Sequence, residues 1–447
     1  MTKNKKVMYN LNIIEGVIKM EEKKISRNII FSVIAVLLLV VVVVGATYAY
    51  FTATASTAKQ EVKTGSLAMG FESGEFLRAD ALMPISDSEI KTKAAELDFS
   101  VTNQGTEHMN LTISLTDIEI SDDLKDVDFR WGLYNKDKDL GIAFGIFEDM
   151  GTQTSVTLLT DTIIDAVLDE NEPDITKNYT LRVWIHDDGA NQNYMQGETF
   201  SAKVTVDGEP VKYTPEECFG FNNGTVTSYD YETCGLAGVD VVIPKSIDGV
   251  AVTTIGSNFV YCDGGCNWWT DDDVTINSMI LPDTITTINN EAFVYSSALY
   301  DSPLTIPDSV ITVGNTGLHG ANIRNLPESV TTVGENSLAF NSIDVVPGSI
   351  SEVSSSAFYS LESNNIVLME GITTIGESAF SELKNTSIEI PSTVTTIVKD
   401  AFGQNYSEPN LTEIVVRGKS SLADFTDATG LTTEGGLPEG VNVVFRP

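Results

Sequence analysis

Between residues 97 and 206 apolar side chains fall on every second position in short runs: Leu97, Phe99, Val101; Leu111, Ile113, Leu115; Phe129, Trp131, Leu133; Leu181, Val183, Ile185; and Phe200, Ala202, Val204, Val206. A period of two buries one face of a strand and leaves the other to solvent, and the Asn, Gly and Asp clusters between the runs supply turns. The pattern predicts an antiparallel β-sandwich over about residues 50–208. A helix is expected there only near Thr160 to Leu168.

Beyond about Asp240 the pattern changes to self-similar copies: IPKSIDGVAVTTIGSNF, LPDTITTINNEAF, IPDSVITVGNTGL, LPESVTTVGENSL, VPGSISEVSSSAF, MEGITTIGESAF and IPSTVTTIVKDAF. Pro244, Pro282, Pro307, Pro327, Pro347, Glu370 and Pro391 mark equivalent positions, separated by 38, 25, 20, 20, 23 and 21 residues. After the first interval this is the period of a leucine-rich-repeat solenoid, roughly 20 to 29 residues. Within one copy, Ser387 to Ile390 reads as a short strand with Ile388 and Ile390 inward, and Pro391, which cannot donate to a ladder, ends it. Val394, Ile397 and Phe402 then turn inward to fill the coil, and each coil covers the next. Matching strands are expected at Val241 to Ile243, Met279 to Leu281, Leu304 to Ile306, Ile323 to Leu326, Ile343 to Val346, Ile366 to Met369 and Ile414 to Val416. Side by side they would form one extended parallel sheet, the usual binding face of such a solenoid.

Ile29 to Gly45 is 17 residues without a charge, about 26 Å of helix, and Ala46 to Ala49 extends it to the ~30 Å of a hydrocarbon core. Lys23, Lys24 and Arg27 precede it, which places residues 1–28 in the cytoplasm and the rest outside. Thr47-Tyr48-Ala49 offers small residues for cleavage between Ala49 and Tyr50, so residues 29–49 fit both a signal peptide and an uncleaved anchor. Met20 followed by EEKKISRN is a complete charged region by itself. Residues 1–19, with Glu15-Gly16-Val17 readable as translation of a purine-rich ribosome-binding sequence, are therefore hypothesised to be a mis-assigned start; peptides from 1–19 in cell extracts would refute this.

The formal charge is -36, and because residues 1–28 hold seven basic and three acidic side chains, the remainder carries 20 basic against 60 acidic ones. Nucleic acid and anionic lipid surfaces are repelled by such a chain. Four cysteines form two local pairs, Cys218/Cys234 and Cys262/Cys266, favouring two disulfides in an oxidising compartment. A Zn site is the rival reading, against which stand the absence of CxxC and the distance of His186 and His319 in sequence. Cys218 to Cys234 encloses a hairpin-like run with an Asn-Gly turn, so residues 209–239 read as a linker and the amino-terminal cap of the repeats, which continue to a carboxyl-terminal cap within 240–447.

The longest insertion, YCDGGCNWWTDDD, sets Trp268 and Trp269 beside Asp271, Asp272 and Asp273. Trp faces stack on sugars or apolar groups and an Asp run could hold Ca²⁺. The preferred expectation is the alternative, that one Trp packs on the cap and the Asp residues are solvated. The acidic residues of Asp117 to Asp128 read as a solvated face. No HExxH, GxSxG, phosphate loop or Rossmann fingerprint occurs, and His108, His186 and His319 are each expected to be structural, so no enzyme and no cofactor is expected.

Two resemblances sharpen the picture. GATYAYF (45–51), KTGSLAMGF (63–71), YTLRVWI and QGETFSAKVTV (196–206) resemble the TasA/camelysin family of Gram-positive bacteria. That resemblance implies a jelly-roll domain, a mature chain beginning near Tyr50, and a strand-donating region over Phe51 to Phe71 through which some members build biofilm matrix fibres. The IPxxVxxIGxxAF pattern over about 240–416 resembles BspA-type leucine-rich repeats, which implies adhesion at a bacterial surface to protein or glycan ligands. The expected protein is mainly β: an export or membrane helix, a jelly-roll-like sandwich, and a solenoid. It is expected to be a cell-surface or secreted adhesin-like protein, held by the membrane if the helix is uncleaved, with a matrix component self-assembling through the jelly roll as the alternative.

Overall fold

The alternating runs form strands. The computed structural model describes residues 53–446 except 57–59, 65–66, 74–75, 80–81, 106, 167–174, 188, 190, 236–238, 260–276, 294–302, 384–386, 404–410, 412 and 426–440. Among the described residues, eleven strands make up the sandwich: β1 (Ala53–Ser56), β2 (Gln60–Thr64), β3 (Leu67–Ser73), β4 (Leu77–Ala79), β5 (Ala95–Asn103), β6 (His108–Ile120), β7 (Phe129–Asn135), β8 (Leu140–Ile146), β9 (Val156–Ile164), β10 (Ile175–Ile185) and β11 (Phe200–Val211). They make two antiparallel sheets, one ordered β1-β11-β6-β9 with β4 also on β11, the other β2-β3-β5-β10-β7-β8. Phe99, Leu133 and Leu181 of one sheet and Leu111, Ile113 and Val204 of the other share one buried core. The amino-terminal segments that the family resemblance marks for strand donation pair here within the same chain, Ala53 to Ser56 on β11 and Leu67 to Ser73 between β2 and β5.

The described part of the segment near Thr160 to Leu168, where a helix is expected, forms none: Val156–Ile164 is an edge strand whose Met109↔Ile164 and Leu111↔Thr162 pairs tie it to β6. Its Thr and Ile residues are β-branched, and the ladder to β6 outweighs the helical spacing.

A hairpin opens the solenoid. Strands β12 (Phe219–Asn222) and β13 (Thr225–Tyr229) are joined through Asn223 and Gly224, both at positive φ, as a two-residue hairpin turn requires. Cys218 is bonded to Cys234, and β13 pairs in parallel with Thr254–Ile255 of the first repeat. In each repeat the apolar residues point inward: Ile388, Ile390, Val394, Ile397 and Phe402 are at most 1% exposed. Successive repeats stack like on like, as in Phe358, Phe380 and Phe402, whose ring centroids lie 5.3 and 6.1 Å apart. The Gly of the IG motif has a steric cause at Gly376, where a Cβ would lie 2.6 Å from the Val353 carbonyl oxygen of the preceding coil.

Two sheets of parallel strands run along the solenoid. One consists of two-residue strands at 254–255, 287–288, 312–313 and 332–333, continued by 352–353, 374–375 and 396–397. The other holds the longer strands, and it is not the single extended sheet expected. Asp240–Val242 pairs with Ser278–Ile280, and Val345–Val346, Asn365–Leu368, Ser387–Ile390, Glu413–Arg417 and Asn442–Arg446 form a second block. Between these blocks Leu304 to Ile306 and Ile323 to Leu326 are not strands. Pro303 and Pro307 bracket the first of these and remove two donors, and after the second the Glu328 N–H donates to the Gly141 carbonyl of the sandwich instead of to a neighbouring coil.

Residues 52–447 form one compact unit. Among the described residues no helix is long and apolar enough to cross a membrane. Residues 29–49, with the Ala49/Tyr50 cleavage position, lie outside the described residues. So do Cys262, Cys266, Trp268, Trp269, Asp271, Asp272 and Asp273.

Candidate functional site

The outward side of the long-strand sheet is where a binding surface is expected, and the sandwich sits on it. Strands β7, β8 and the end of β10 bury both faces, one on the sandwich core and one on the solenoid. Each coil contributes a contact. Val242 and Ile280 pack on Ile163; Asp308 accepts from Asn135 Nδ2 at 2.7 Å and from Lys138 Nζ at 3.0 Å; Glu328 accepts from the Gly141 N–H at 2.8 Å. Farther along, Trp184, Tyr134 and Phe144 pack with Val345, Val367 and Met369. The expected binding face is therefore an intramolecular interface. Outward residues on a solenoid strand cannot reveal from sequence whether another part of the same chain covers them.

At the far end this interface encloses charge. Glu389, on the strand Ser387–Ile390, and Arg417, on Glu413–Arg417, project outward from the solenoid toward Asp87, Asp128, Arg130 and His186 of the sandwich. Arg130 Nη2 donates to Glu389 Oε2 at 2.8 Å and Arg417 Nε to Glu389 Oε1 at 2.6 Å. Arg417 Nη2 and Arg130 Nη2 each lie 3.4 Å from Asp128 Oδ1, and Gln192 Nε2 donates to Asp128 Oδ2 at 2.8 Å. His186 sits between carboxylates, with Nδ1 2.8 Å from Asp87 and Nε2 3.3 Å from Glu389, as charge pairs without hydrogen-bond alignment. All six side chains are under 10% exposed. With His186 protonated, three cations face three anions.

Burial dominates the titration of these groups, and the partners then decide its sign. Burial and Arg130 push the His186 pKa down, but Asp87 and Glu389 outweigh them and it is raised. Burial pushes Glu389 up, yet Arg130, His186 and Arg417 hold it well below the usual carboxylate range. Asp87 is lowered by His186 and Arg130 against burial. Asp128 stays raised by burial, which Arg130 and Arg417 offset only in part. The sequence reading placed Asp128 on a solvated face; it is 5% exposed and lies in this cluster.

A second flank of the solenoid carries the short-strand ladder, with Thr254, Thr287, Thr312, Thr332, Glu352, Thr374 and Thr396 as one row. Beside it runs Thr253, Thr286, Ile311, Thr331, Ser351, Thr373 and Thr395. Hydroxyls of the second row reach back to the previous coil, Thr286 Oγ1 to the Thr253 carbonyl and Thr373 Oγ1 to the Ser351 carbonyl. Both rows are half-buried or exposed throughout. In a chain of net charge -36 these two rows hold a single charged side chain, Glu352. The result is a regularly spaced hydroxyl and methyl surface whose one charge is Glu352.

Comparison with known proteins follows these boundaries. Residues 271–346 and 339–424 match the BspA type leucine rich repeat region in 6 copies, and residues 22–212 match the camelysin metallo-endopeptidase family. No curated protein matches the chain. Among solved structures, a leucine-rich repeat protein of T. pallidum is 20% identical over 38% of this chain and 89% of its own, with a TM-score of 0.28. One from Bacteroides ovatus is 14% identical over 49% and 66%, TM-score 0.24. The pneumococcal vaccine antigen PcpA is 15% identical over 51% and 84%, TM-score 0.19.

The metallo-endopeptidase description implies a metal, and the histidines do not fit one. His108 Nδ1 accepts from the Ala166 N–H at 3.1 Å beside Asp165. His186 faces carboxylates already neutralised by two guanidinium groups, and His319 packs on Phe340 in the solenoid. Among the described residues no group of three or more His, Cys, Asp or Glu is placed to hold a metal ion.

Proposed function

We propose that this chain, which carries a BspA-type leucine-rich-repeat region behind a camelysin-type region, is a surface interaction protein that binds its partner through the threonine face of the solenoid. The observation that carries this reading is the coverage of the long-strand sheet by the sandwich, which leaves the short-strand ladder as the regular, extended surface that no other described residues cover. A hydroxyl and methyl lattice suits a glycan or a polar protein surface, and the acidic remainder of the molecule repels nucleic acid and anionic membranes. The uncharged run Ile29 to Gly45, read as an export segment, supports a location at the cell surface or in the medium. The sandwich then serves as a rigid base that locks the solenoid in one orientation.

The purified full chain should bind one or more glycans or extracellular-matrix proteins displayed on an array. Thr312→Arg with Thr332→Arg should weaken that binding at least roughly tenfold, because two long cations interrupt a flat contact. Binding that is indifferent to both substitutions would refute the threonine face. The insertion with Trp268 and Trp269 is the second candidate contact, and loss of binding on Trp268→Ala and Trp269→Ala without loss of folding would support it.

A structural matrix component is the second reading. It is supported by β1, which joins its sheet by four residues and, among the described residues, pairs with β11 alone, a small attachment for a strand to exchange between copies. Filaments formed by the wild-type chain and lost on deleting Tyr50 to Phe71 would favour it.

A further inference from the structure

The sandwich and the solenoid close tightly in the middle of their contact and stand apart elsewhere. Around Trp131, Trp184 and Met369 the void between them is about 10 Å³. At the start of β10, opposite the second and third repeats, it widens into a cleft of about 210 Å³. That is room on the order of ten waters, too much for a packing defect.

Its walls carry donors and acceptors in alternation. Asp283 has Lys245 at 2.9 Å and Lys177 at 3.5 Å, while Asp308 is held by Asn135 and Lys138. Tyr179 lines the same cleft, only 3% exposed, and among the described residues its hydroxyl has no hydrogen-bond partner. Burial first, then the charges of Asp308 and Asp283, hold that hydroxyl protonated, so it is a donor without an acceptor. Leaving such a group buried is costly, and a bound acceptor would remove the cost. Ile142, Leu159 and Ile306 supply an apolar wall behind these groups.

We propose that this cleft binds a single sugar residue, free or at the end of a glycan. A hydroxyl both donates and accepts, so neighbouring sugar hydroxyls can donate to the Asp283 and Asp308 carboxylates while accepting from Lys177 and Tyr179. The C–H face of the ring lies on the apolar wall, the mixed lining that fixes a small polar ligand. A simple anion would meet the Asp283 and Asp308 carboxylates there, and a simple cation the ammonium groups of Lys138, Lys177 and Lys245. This site is separate from the threonine face and extends the surface-interaction reading by giving the molecule a second, saturable pocket.

The test is titration calorimetry on the purified full chain with glucose, galactose and N-acetylglucosamine, each as free sugar and as methyl glycoside, and with glycine and glutamate. At least one sugar should bind saturably; a glycoside that binds as well as the free sugar identifies a glycan end, and free sugar alone identifies a monosaccharide. Tyr179→Phe keeps the ring stacked on Phe99 at 5.2 Å and should weaken binding about three- to tenfold without lowering the melting temperature. Lys177→Met should weaken it further. Thr312→Arg with Thr332→Arg should leave it unchanged, which separates failure of this site from failure of the threonine face. No sugar binding by the folded chain, binding insensitive to both cleft substitutions, or binding of the amino acids in preference would overturn the proposal.

Discussion

Glu389→Gln removes the anion on which both arginines of the interface converge. The neutral amide keeps the shape but leaves Arg130, Arg417 and His186 facing only Asp87 and Asp128, a net positive charge in a site under 10% exposed. Removing one partner of a buried, hydrogen-bonded ion pair costs about 3–5 kcal/mol. The amide oxygen can still accept one bond, so the low end, about 3 kcal/mol, applies. Trp184 reports the contact directly: it is 2% exposed and packed on Val345, Val367 and Met369 of the solenoid. In a background with Trp268→Phe and Trp269→Phe, the remaining tryptophans are Trp131 and Trp184. Urea titration followed by emission maximum and acrylamide quenching gives the midpoint at which Trp184 meets water. With a slope near 3 kcal/mol per molar, the substitution should lower that midpoint by about 1 M. A midpoint within ~0.2 M of the parent would refute the claim that this cluster clamps the two parts together.

The pH dependence of the same midpoint follows from the shifted groups. The folded-state pKa of His186 is raised, so its contribution is fully present below the ordinary value of 6.5 and is lost as pH rises through the raised value. Those of Glu389 and Asp87 are lowered, so their contribution is present above the ordinary values of 4.5 and 3.8 and is lost as pH falls through the depressed ones. The urea midpoint should accordingly be higher at about pH 6 than at about pH 9, and His186→Gln should remove most of that alkaline fall; an equal fall in the variant would contradict the assignment. Cys218→Ser opens a disulfide spanning 16 residues and should cost the capped solenoid roughly 3 kcal/mol under oxidising conditions; calorimetry showing no lower melting temperature would count against the cap. Phe380→Ala empties the middle of the Phe358, Phe380 and Phe402 stack and should cost about 3–5 kcal/mol, read as a lower denaturant midpoint.

Period two and the repeat period carried most of the fold because each states which side of an element is buried. Phe99, Val101 and Val204 fall inward as their spacing requires, and so do Ile388, Ile390 and Phe402. The strand Val156–Ile164 shows where that logic thins: an edge strand half open to solvent needs no strict alternation. The interface between the two parts was harder to see, since it depends on residues about 260 positions apart, Arg130 and Glu389. A signal was nevertheless present. FRWGLYN, LGIAFGI and LRVWI lack a polar face, the mark of strands covered on both sides, and Arg130 and Arg182 interrupt them as charges that need partners in the interior. Arg182 pairs within the sandwich, with Glu96, whereas the partner of Arg130 could not be read from one chain's order of residues, because Glu389 in SIEI looks like an ordinary outward position of a solenoid strand.

The central claim is that the solenoid stands outside the cell with its long-strand sheet covered and its threonine face open. Two cysteine variants labelled on intact cells with a membrane-impermeant maleimide test both parts at once, Thr332→Cys on the exposed ladder and Val367→Cys on the covered sheet, where Val367 is 0% exposed. Rapid labelling of Thr332→Cys before lysis, with Val367→Cys protected until urea is added, is the predicted result. Labelling of neither until the cells are broken would contradict surface display, and equal labelling of both on intact cells would contradict the covered sheet.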